Sequence, residues 1–304
     1  MGYKDILRYA QEEKFAVPAF NYTDIWEFLA ILEAAAELRA PVLAATAPVT
    51  VDAMGLDFCA AFGKLGYEHT KGNLYNHLDH CTSVDCCMAA VDAGYHSIMF
   101  DGSALPLEEN IAKSKLVADY ARARGVLVEA EVGQILGRSD EGSCDKAVYS
   151  VTQDDCIRMA TETGITSLAI GIGNRHGFYD KKPNLNIALL ADVHRELPIP
   201  LVLHGSSGLE DAVVKECIRN GISKVNVGTA LHYAYKQKVA EVIDVEKKNY
   251  AVTSFAVPAK EAIKDVVRTW IRVCGAEGKA LSAPRCGIDH RRKLSYFYGG
   301  TNYE

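Results

Sequence analysis

Short apolar runs alternate with helix-like stretches along the first 280 residues of the chain. The runs are nearly continuous in apolar and small residues, which is typical of strands that are covered on both faces in a parallel sheet. Several stretches between them end at a glycine, such as Gly94 or Gly164, that suits a left-handed helix cap. Eight such units predict the α/β class and a (β/α)8 TIM barrel. The candidate strands are 16–21, 41–46, 74–79, 97–102, 127–133, 167–173, 200–205 and 224–229.

No linker rich in proline, glycine or serine divides the 304 residues of the chain. We therefore expect one barrel domain over residues 1–280. Within it, residues 257–274 predict an extra C-terminal helix that packs outside the barrel. Residues 281–304 form a tail that is basic in its middle and aromatic at its end. We expect this tail to be either an arm onto a neighbouring subunit or disordered.

The composition excludes several classes of protein. A net charge of −6 argues against a nucleic-acid partner, which would favour a basic surface. No run of about 18 uncharged apolar residues is present, so we expect no membrane span. The nine cysteines have no framework spacing, and the N-terminus lacks the apolar core of a signal peptide. These features predict reduced thiols and a cytoplasmic enzyme.

Three histidines, His80, His176 and His204, each stand where a candidate strand ends. In a parallel barrel the carboxyl ends of the strands meet on one face, where catalytic groups collect. Neutral imidazoles from three strands match a catalytic zinc site, which has three protein ligands and an open fourth position. A single histidine at a strand end is usually structural, so the prediction depends on the set of three.

Asp79 directly precedes His80. Consecutive residues of a regular strand point to opposite faces, so both side chains reach the pocket only where the strand bends into its loop. In one interpretation the carboxylate orients a metal ligand. In the other it is a general acid or base beside the metal.

Two glycine-containing segments, 204–208 and 226–229, follow the last two candidate strands. Barrels commonly bind phosphate at this place, where glycines expose backbone N–H groups and hydroxyls add donors. The turn Gly205-Ser206-Ser207-Gly208 is weak evidence by itself, but its position makes it a candidate phosphate site.

Eight segments of the chain carry a family resemblance: AVPAFN (16–21), HLDH (77–80), SIMFDGSALPLEENI (97–111), VEAEVG (128–133), NRHGFY (174–179), LVLHGSSG (201–208), KVNVGT (224–229) and CGAEGKA (274–280). Together they resemble the class II, zinc-dependent ketose-bisphosphate aldolases, and most closely the tagatose- and fructose-bisphosphate enzymes. The resemblance implies that the three histidines bind Zn²⁺ and that Asp79 is the proton-transfer residue. It also matches Glu131 with a family carboxylate that lies close to the metal.

The same resemblance implies a small sugar phosphate as the substrate, bound through its phosphate and its dihydroxyacetone portion. A monovalent cation, Na⁺ or K⁺, is implied near Gly177 and Gly205. We also expect a homodimer or a homotetramer. The expected substrate-binding residues are Asn21, Gly177, Gly205, Ser206, Ser207, Asn226, Gly228 and Thr229.

The chain departs from the family pattern in the segment after strand 5. The family usually reads Gly-Gly-x-Glu-Asp there, and its glutamate assists proton transfer, whereas Ser139 stands at that position here. Asp140 or Glu141 replaces the glutamate only if the loop shifts. Gly228 also stands where many fructose-bisphosphate enzymes have an acidic or amide side chain.

Two arginines, Arg138 and Arg175, also depart from the family pattern. The planar guanidinium suits phosphate, carboxylate or sulfonate oxygens. One hypothesis is that one or both bind the anionic group at the far end of the substrate. The alternative is a surface salt bridge, for example to Asp140 or Glu141.

The predicted reaction is a zinc-dependent, reversible retro-aldol cleavage of a ketose (bis)phosphate to dihydroxyacetone phosphate and an aldehyde. The alternatives are the same chemistry on a substrate with a sulfonate or carboxylate tail, another zinc-dependent barrel lyase or hydrolase, and a non-catalytic aldolase-like partner subunit. A Schiff-base aldolase needs a lysine at a strand end. Lys224 stands at the start of the eighth strand, so we expect it at the opposite end of the barrel.

Overall fold

The computed structural model describes residues 6–139, 142–144, 151–179, 181, 183–245 and 249–282. The strands in this part of the chain are β1 (Val17–Asn21), β2 (Val42–Thr46), β3 (Leu74–Cys81), β4 (Ser97–Phe100), β5 (Leu127–Val132), β6 (Leu136–Ser139), β7 (Gly142–Cys144), β8 (Ser167–Ile170), β9 (Arg175–His176), β10 (Leu201–Leu203) and β11 (Ile222–Val227). The helices are α1 (Ile6–Glu12), α2 (Ile25–Glu37), α3 (Pro48–Met54), α4 (Leu56–His69), α5 (Val84–Ala93), α6 (Leu107–Arg122), α7 (Gln153–Thr163), α8 (Ile187–Glu196), α9 (Asp211–Arg219), α10 (Thr229–Val245) and α11 (Val252–Val273).

Eight strands close into a parallel barrel in the order β1-β11-β10-β8-β5-β4-β3-β2. Each candidate strand of the sequence overlaps one of these strands, so the predicted (β/α)8 barrel is confirmed. Helices cover the outer face of the wall, which explains the continuous apolar runs. Gly66 of α4, for example, lies so close to Leu74 of β3 and Phe28 of α2 that a side chain there would displace them.

A small sheet of order β7-β6-β9 stands apart from the barrel. β6 pairs antiparallel with β7 and parallel with β9. Since β6 follows β5 and β9 follows β8, both segments leave the barrel at the carboxyl ends of its strands. The small sheet therefore lies at the end where a barrel enzyme has its active site.

The predicted extra helix is present as α11, which begins at Val252 rather than at residue 257. It packs against α2, where Lys260 and Lys264 donate to the Glu33 carboxylate at 2.6 and 3.0 Å. The beginning of the tail also lies on the barrel, since the Leu281 N–H donates to Asn73 Oδ1 at 2.7 Å. The tail beyond residue 282 lies outside the described residues.

No helix among the described residues is both long enough and apolar enough to cross a membrane.

Candidate active site

The three predicted ligand histidines surround one small volume at the carboxyl end of the barrel. Asp79, His80 and His204 place donor atoms within 4.8 Å of one another. The ring centroid of His176 lies 5.0 Å from that of His80 and 6.3 Å from that of His204. His80 lies near the end of β3 and His204 directly follows β10, whereas His176 belongs to β9 of the small sheet.

A β-bulge explains how the consecutive residues Asp79 and His80 reach the same pocket. β3 and β4 pair in register up to Leu78, and when pairing resumes at Cys81, β3 has used one residue more than β4. His80 has a φ of +47°, a left-handed conformation that is uncommon outside glycine. The bulge interrupts the alternation of side chains, and the rest of the fold holds the strained residue in place.

His80 and His204 face each other through one nitrogen each, since His80 Nε2 and His204 Nδ1 are 2.8 Å apart. The other nitrogen of each ring meets a carboxylate: His80 Nδ1 is 2.8 Å from Asp101, and His204 Nε2 is 2.8 Å from Glu129. When both imidazoles are neutral, each has one N–H, which its carboxylate accepts, and the two facing nitrogens then carry lone pairs. Two lone pairs directed at one point fit a metal cation.

The electrostatics of the pocket also favour a cation. Burial lowers the pKa of His80, but the charges of Asp79 and Asp101 outweigh this and raise that pKa well above its usual range. Burial and then the neighbouring Asp101 raise the pKa of the Glu131 carboxyl. Glu131 lies in a second group of donors with His80 and Asp101, and its Oε2 is buried without a hydrogen-bond partner among the described residues. The pocket therefore presents buried carboxylates to the point where the imidazoles meet.

Asp79 is fully buried and held by two amide side chains. Asn21 Nδ2 donates to its Oδ2 at 3.0 Å, and Asn226 Nδ2 lies 3.1 and 3.0 Å from Oδ1 and Oδ2. Burial raises the pKa of Asp79, but the charge of His80 and the hydrogen bond from His77 lower it well below its usual range. The carboxylate is therefore ionised at neutral pH and is able to accept a proton from a substrate.

The expectation that Lys224 lies at the opposite end of the barrel from the site is wrong. Its Nζ donates to Glu129 Oε2 at 2.7 Å and to His77 Nε2 at 3.1 Å, and it lies 4.0 Å from Asp79 Oδ1. β5 and β11 are separated by β8 and β10, so this side chain crosses the barrel interior. The ammonium is fully buried and occupied by these partners, which still argues against a Schiff base.

Two glycines allow the loops to close around His176. Gly137 pairs with His176 in the small sheet, with a φ of +104°, and a Cβ there would overlap the carbonyl oxygen of His176. Gly205 has a φ of +65°, and a Cβ there would overlap the carbonyl oxygen of Arg175. Only glycine suits either position, so the segments that follow β5 and β10 fix the position of β9.

The predicted phosphate segments lie side by side. The buried Ser206 hydroxyl donates to the carbonyl oxygen of Asn226, so it ties the two segments together. Ser207 Oγ accepts from the Ala230 N–H at 3.2 Å, in the first turn of α10. Helix N-termini favour anions, so this arrangement suits a phosphate beside Thr229. The same loops contain Gly177, Gly205 and Gly228.

Arg175 lies beside the cluster but belongs to the other face of β9, because consecutive strand residues alternate. Its backbone N–H donates to Tyr179 Oη at 2.9 Å. Its Nε is buried and has no hydrogen-bond partner among the described residues. The side chain of Arg138 and the loop residues Asp140 and Glu141 lie outside the described residues.

Sequence reasoning missed two residues of the site, Glu129 and His77. A signal was available, because each stands two residues before a predicted site residue, Glu131 and Asp79 respectively. Residues two apart on a strand share a face. The same alternation that places Glu131 and Asp79 in the barrel interior therefore places their neighbours there as well.

The chain is similar to known proteins over nearly its whole length. The sequence model of a family described as Fructose-bisphosphate aldolase class-II matches residues 1–279. A 6-phospho-5-dehydro-2-deoxy-D-gluconate aldolase of Bacillus licheniformis is 36% identical over 288 residues, which cover 94% of this chain and 98% of that protein. The protein of the same name in Bacillus velezensis is 37% identical over 281 residues, covering 91% and 96%. The crystal structure of the YdjI aldolase from Escherichia coli K12 has a TM-score of 0.78 at 28% identity, covering 92% of this chain and 100% of that chain.

Proposed function

Since the chain belongs to the class-II fructose-bisphosphate aldolase family, whose members are carbon–carbon lyases, we propose that it reversibly cleaves a ketose phosphate into dihydroxyacetone phosphate and an aldehyde. The observation that carries the proposal is the pair of facing imidazole nitrogens of His80 and His204 beside the ionised Asp79. A metal-assisted retro-aldol reaction needs metal ligands next to a proton acceptor, and this arrangement provides both.

We propose His80, His176 and His204 as the ligands of one Zn²⁺ per chain. The lone pairs of the facing nitrogens and the orphaned Glu131 oxygen support a dication at this place. A bound Zn²⁺ supplies a Lewis acid that stabilises negative charge on the ketone oxygen of the substrate. A monovalent cation, Na⁺ or K⁺, near Gly177 and Gly205 is part of the same proposal.

Asp79 is the proposed base in the cleavage direction. Its carboxylate accepts the proton of the hydroxyl on the carbon that becomes the aldehyde, and a C=O bond forms there. The electron pair of the broken C–C bond passes to the three-carbon fragment, which takes up a proton and leaves as dihydroxyacetone phosphate. Asn21 and Asn226 hold the carboxylate in position, and Ser207, Gly228 and Thr229 bind the phosphate at the start of α10.

The proposed substrate has a carboxylate rather than a second phosphate at its far end. The two Bacillus relatives are named for a six-carbon acid with a C6 phosphate, a C5 ketone and no C2 hydroxyl. Its retro-aldol cleavage between C3 and C4 gives dihydroxyacetone phosphate and 3-oxopropanoate. Arg138 and Arg175 are the candidate contacts of the carboxylate. The Nε of Arg175 is buried without a hydrogen-bond partner among the described residues, which supports an anion at this place. The alternation along β9 turns the side chain away from the face of His176, which supports a packing role instead.

A substrate panel tests the proposed reaction. The zinc-loaded protein is given 6-phospho-5-dehydro-2-deoxygluconate, tagatose 1,6-bisphosphate and fructose 1,6-bisphosphate, and dihydroxyacetone phosphate is measured by coupled reduction. We expect the highest kcat/KM for the carboxylate substrate. Cleavage of a bisphosphate alone would contradict the proposed carboxylate and identify a ketose bisphosphate as the substrate. Cleavage of none of them would favour the non-catalytic partner subunit.

The surface of the α10–α11 pair supports a homodimer or homotetramer. Only Leu231 is buried among the 17 residues of α10. Tyr233, Ile243 and Val245 of the same helix are more than half exposed, and Tyr250, before α11, is 88% exposed. Apolar surface of this kind usually marks a contact with another chain. Seven cysteines of the described part of the chain are free thiols, which supports the proposal of a cytoplasmic location.

A further inference from the structure

A fully buried ion pair lies beneath the proposed metal site. Lys224 Nζ is 2.7 Å from Glu129 Oε2, and both side chains are at most 1% exposed. Burying two charges carries a large desolvation cost, and apolar residues of similar volume are often as stable or more stable. The interior of a TIM barrel is usually filled by branched apolar side chains. The stability of the barrel therefore does not explain why a charged pair lies in its interior, directly beneath the proposed metal site.

The two oxygens of Glu129 have different partners. Oε2 accepts from Lys224, and Oε1 lies 2.8 Å from His204 Nε2. A carboxylate that accepts from Nε2 fixes the proton of His204 on that nitrogen. Nδ1 is then left without a proton, and it is Nδ1 that points at His80 Nε2. Glu129 thus determines which nitrogen of His204 is presented to the metal position.

Lys224 connects this carboxylate to the other side of the site. Its ammonium donates to His77 Nε2 at 3.1 Å, and His77 Nδ1 lies 2.9 Å from Ser97 Oγ. The same ammonium is 4.0 Å from Asp79 Oδ1. One buried cation therefore balances the carboxylate behind His204 and lies below the carboxylate proposed to transfer the proton.

We propose that Glu129 and Lys224 are positioning residues for His204: Glu129 fixes the orientation and the proton of its imidazole, and Lys224 keeps Glu129 charged and in place. The inference depends on the proposed metal site. Neither residue touches the substrate. Glu129 acts through the ligand His204, and Lys224 acts through Glu129.

Metal binding tests the inference without any assay of activity. The zinc dissociation constant is measured by chelator competition, and the visible spectrum of the Co²⁺-loaded protein reports the coordination geometry. For Glu129→Gln we expect zinc binding weaker by roughly 10- to 100-fold, the usual effect of losing a partner of a ligand histidine. The Co²⁺ spectrum should shift. The double variant Glu129→Gln/Lys224→Met, which leaves no unpaired buried charge, should show the same two changes.

A second buried ion pair offers a matched control. Glu33, with Lys260 and Lys264, joins α2 to α11 away from the site. Glu33→Gln should lower the unfolding temperature and leave zinc affinity and the Co²⁺ spectrum unchanged. A merely structural role of Glu129 would give the same pattern as Glu33→Gln, and that outcome would overturn the inference.

Two further measurements complete the test. His204→Ala separates the inference from the proposed function. If His204→Ala retains tight zinc binding, the proposed metal site itself is contradicted. If His204→Ala loses zinc while the Glu129 variants bind it normally, only the role of Glu129 is contradicted. If the Glu129 variants fail to fold, ¹⁵N-histidine spectra of the zinc-loaded wild type decide the matter. We expect a proton on His204 Nε2, and a proton on Nδ1 would refute the inference.

Discussion

Replacing Asp79 by asparagine separates proton transfer from metal binding. The amide has nearly the size of the carboxylate, and its oxygen still accepts from Asn21 or Asn226. It has no negative charge, so it is a very poor acceptor for the substrate proton. We therefore expect Asp79→Asn to fold, to bind zinc and to lose most of its cleavage activity.

The size of the effect follows from the contacts of Asp79. General acid–base groups contribute about 10²- to 10⁴-fold in rate, which corresponds to about 2.7 to 5.4 kcal/mol of transition-state stabilisation. The free energy of unfolding falls much less. One of the amide hydrogen bonds is retained, and a buried hydrogen bond to a charged group contributes about 1.5 to 3 kcal/mol. The fall in kcat should therefore greatly exceed the fall in the free energy of unfolding.

Asp101→Ala is the matched control, because Asp101 is also a carboxylate next to His80, although it is only partly buried. Its Oδ2 lies 2.8 Å from His80 Nδ1, on the side of the ring that faces away from His204. Losing this partner should weaken zinc binding by roughly 10- to 100-fold. With saturating zinc, kcat should fall far less than in Asp79→Asn. Both variants are measured for zinc affinity by chelator competition and for cleavage by dihydroxyacetone phosphate release.

Two results would refute this reasoning. If zinc-saturated Asp79→Asn cleaves within about threefold of the wild type, Asp79 is not the base, since general-base removal costs about a hundredfold or more. If Asp79→Asn loses zinc as readily as Asp101→Ala, Asp79 is itself a ligand. The second outcome has a structural basis, because Asp79 lies within the 4.8 Å donor group of His80 and His204.

Three further predictions concern other parts of the site and the fold. Gly137→Ala should displace β9, because a Cβ would overlap the carbonyl oxygen of His176, and zinc affinity measured by chelator competition should fall while far-UV circular dichroism stays unchanged. Arg175→Ala should lower kcat/KM by roughly 10- to 100-fold on a substrate with a distal anion and much less on one without it; equal losses on both would leave Arg175 a packing role. Burial lowers the pKa of His96 to about 4 in the folded state. Between a pH of about 6.5 and 4, the unfolded chain therefore binds one proton more at this residue than the folded chain. The free energy of unfolding then falls by about 1.4 kcal/mol for each unit by which the pH is lowered. Urea unfolding at several pH values measures how steeply the free energy of unfolding depends on pH. This dependence should be weaker in His96→Asn, which keeps an acceptor for the Asn76 N–H, and an unchanged dependence would contradict the assignment.

The barrel was predictable because its signal is local. Strands covered on both faces must be apolar throughout, and 42–46 or 201–203 show this without any knowledge of their neighbours. The ends of such strands also locate His80 and His204, whereas the eighth strand of the chain, β8, ends at Ile170 and His176 lies beyond it in β9. The small β6–β7–β9 sheet gave no such signal, because its strands have between two and four residues and no regular alternation.

The features that the sequence hid depend on pairing across the chain. The bulge at His80 is a difference in residue count between β3 and β4, and neither strand shows it alone. The reach of Lys224 depends on the width of the barrel, since a long side chain from the middle of β11 meets Glu129 of a strand that is not its neighbour. Position along a strand fixes where a backbone lies, but it does not fix where a four-carbon side chain ends.

The charge of the barrel interior connects these observations. Four carboxyl groups meet at the site, those of Asp79, Asp101, Glu129 and Glu131. Among the described residues, the basic side chain that forms ion pairs with this group is Lys224, which pairs with Asp79 and Glu129. Burial penalises such a set unless positive charge is supplied nearby. The raised pKa of Glu131, caused by burial and by Asp101, is one expression of this imbalance, and the raised pKa of His80 is another. The proposed dication, held by His80, His176 and His204, would correct the imbalance at the point where the carboxylates converge. The same excess of negative charge would explain why the proposed phosphate site consists of backbone and hydroxyl groups at the start of α10, away from the carboxylates.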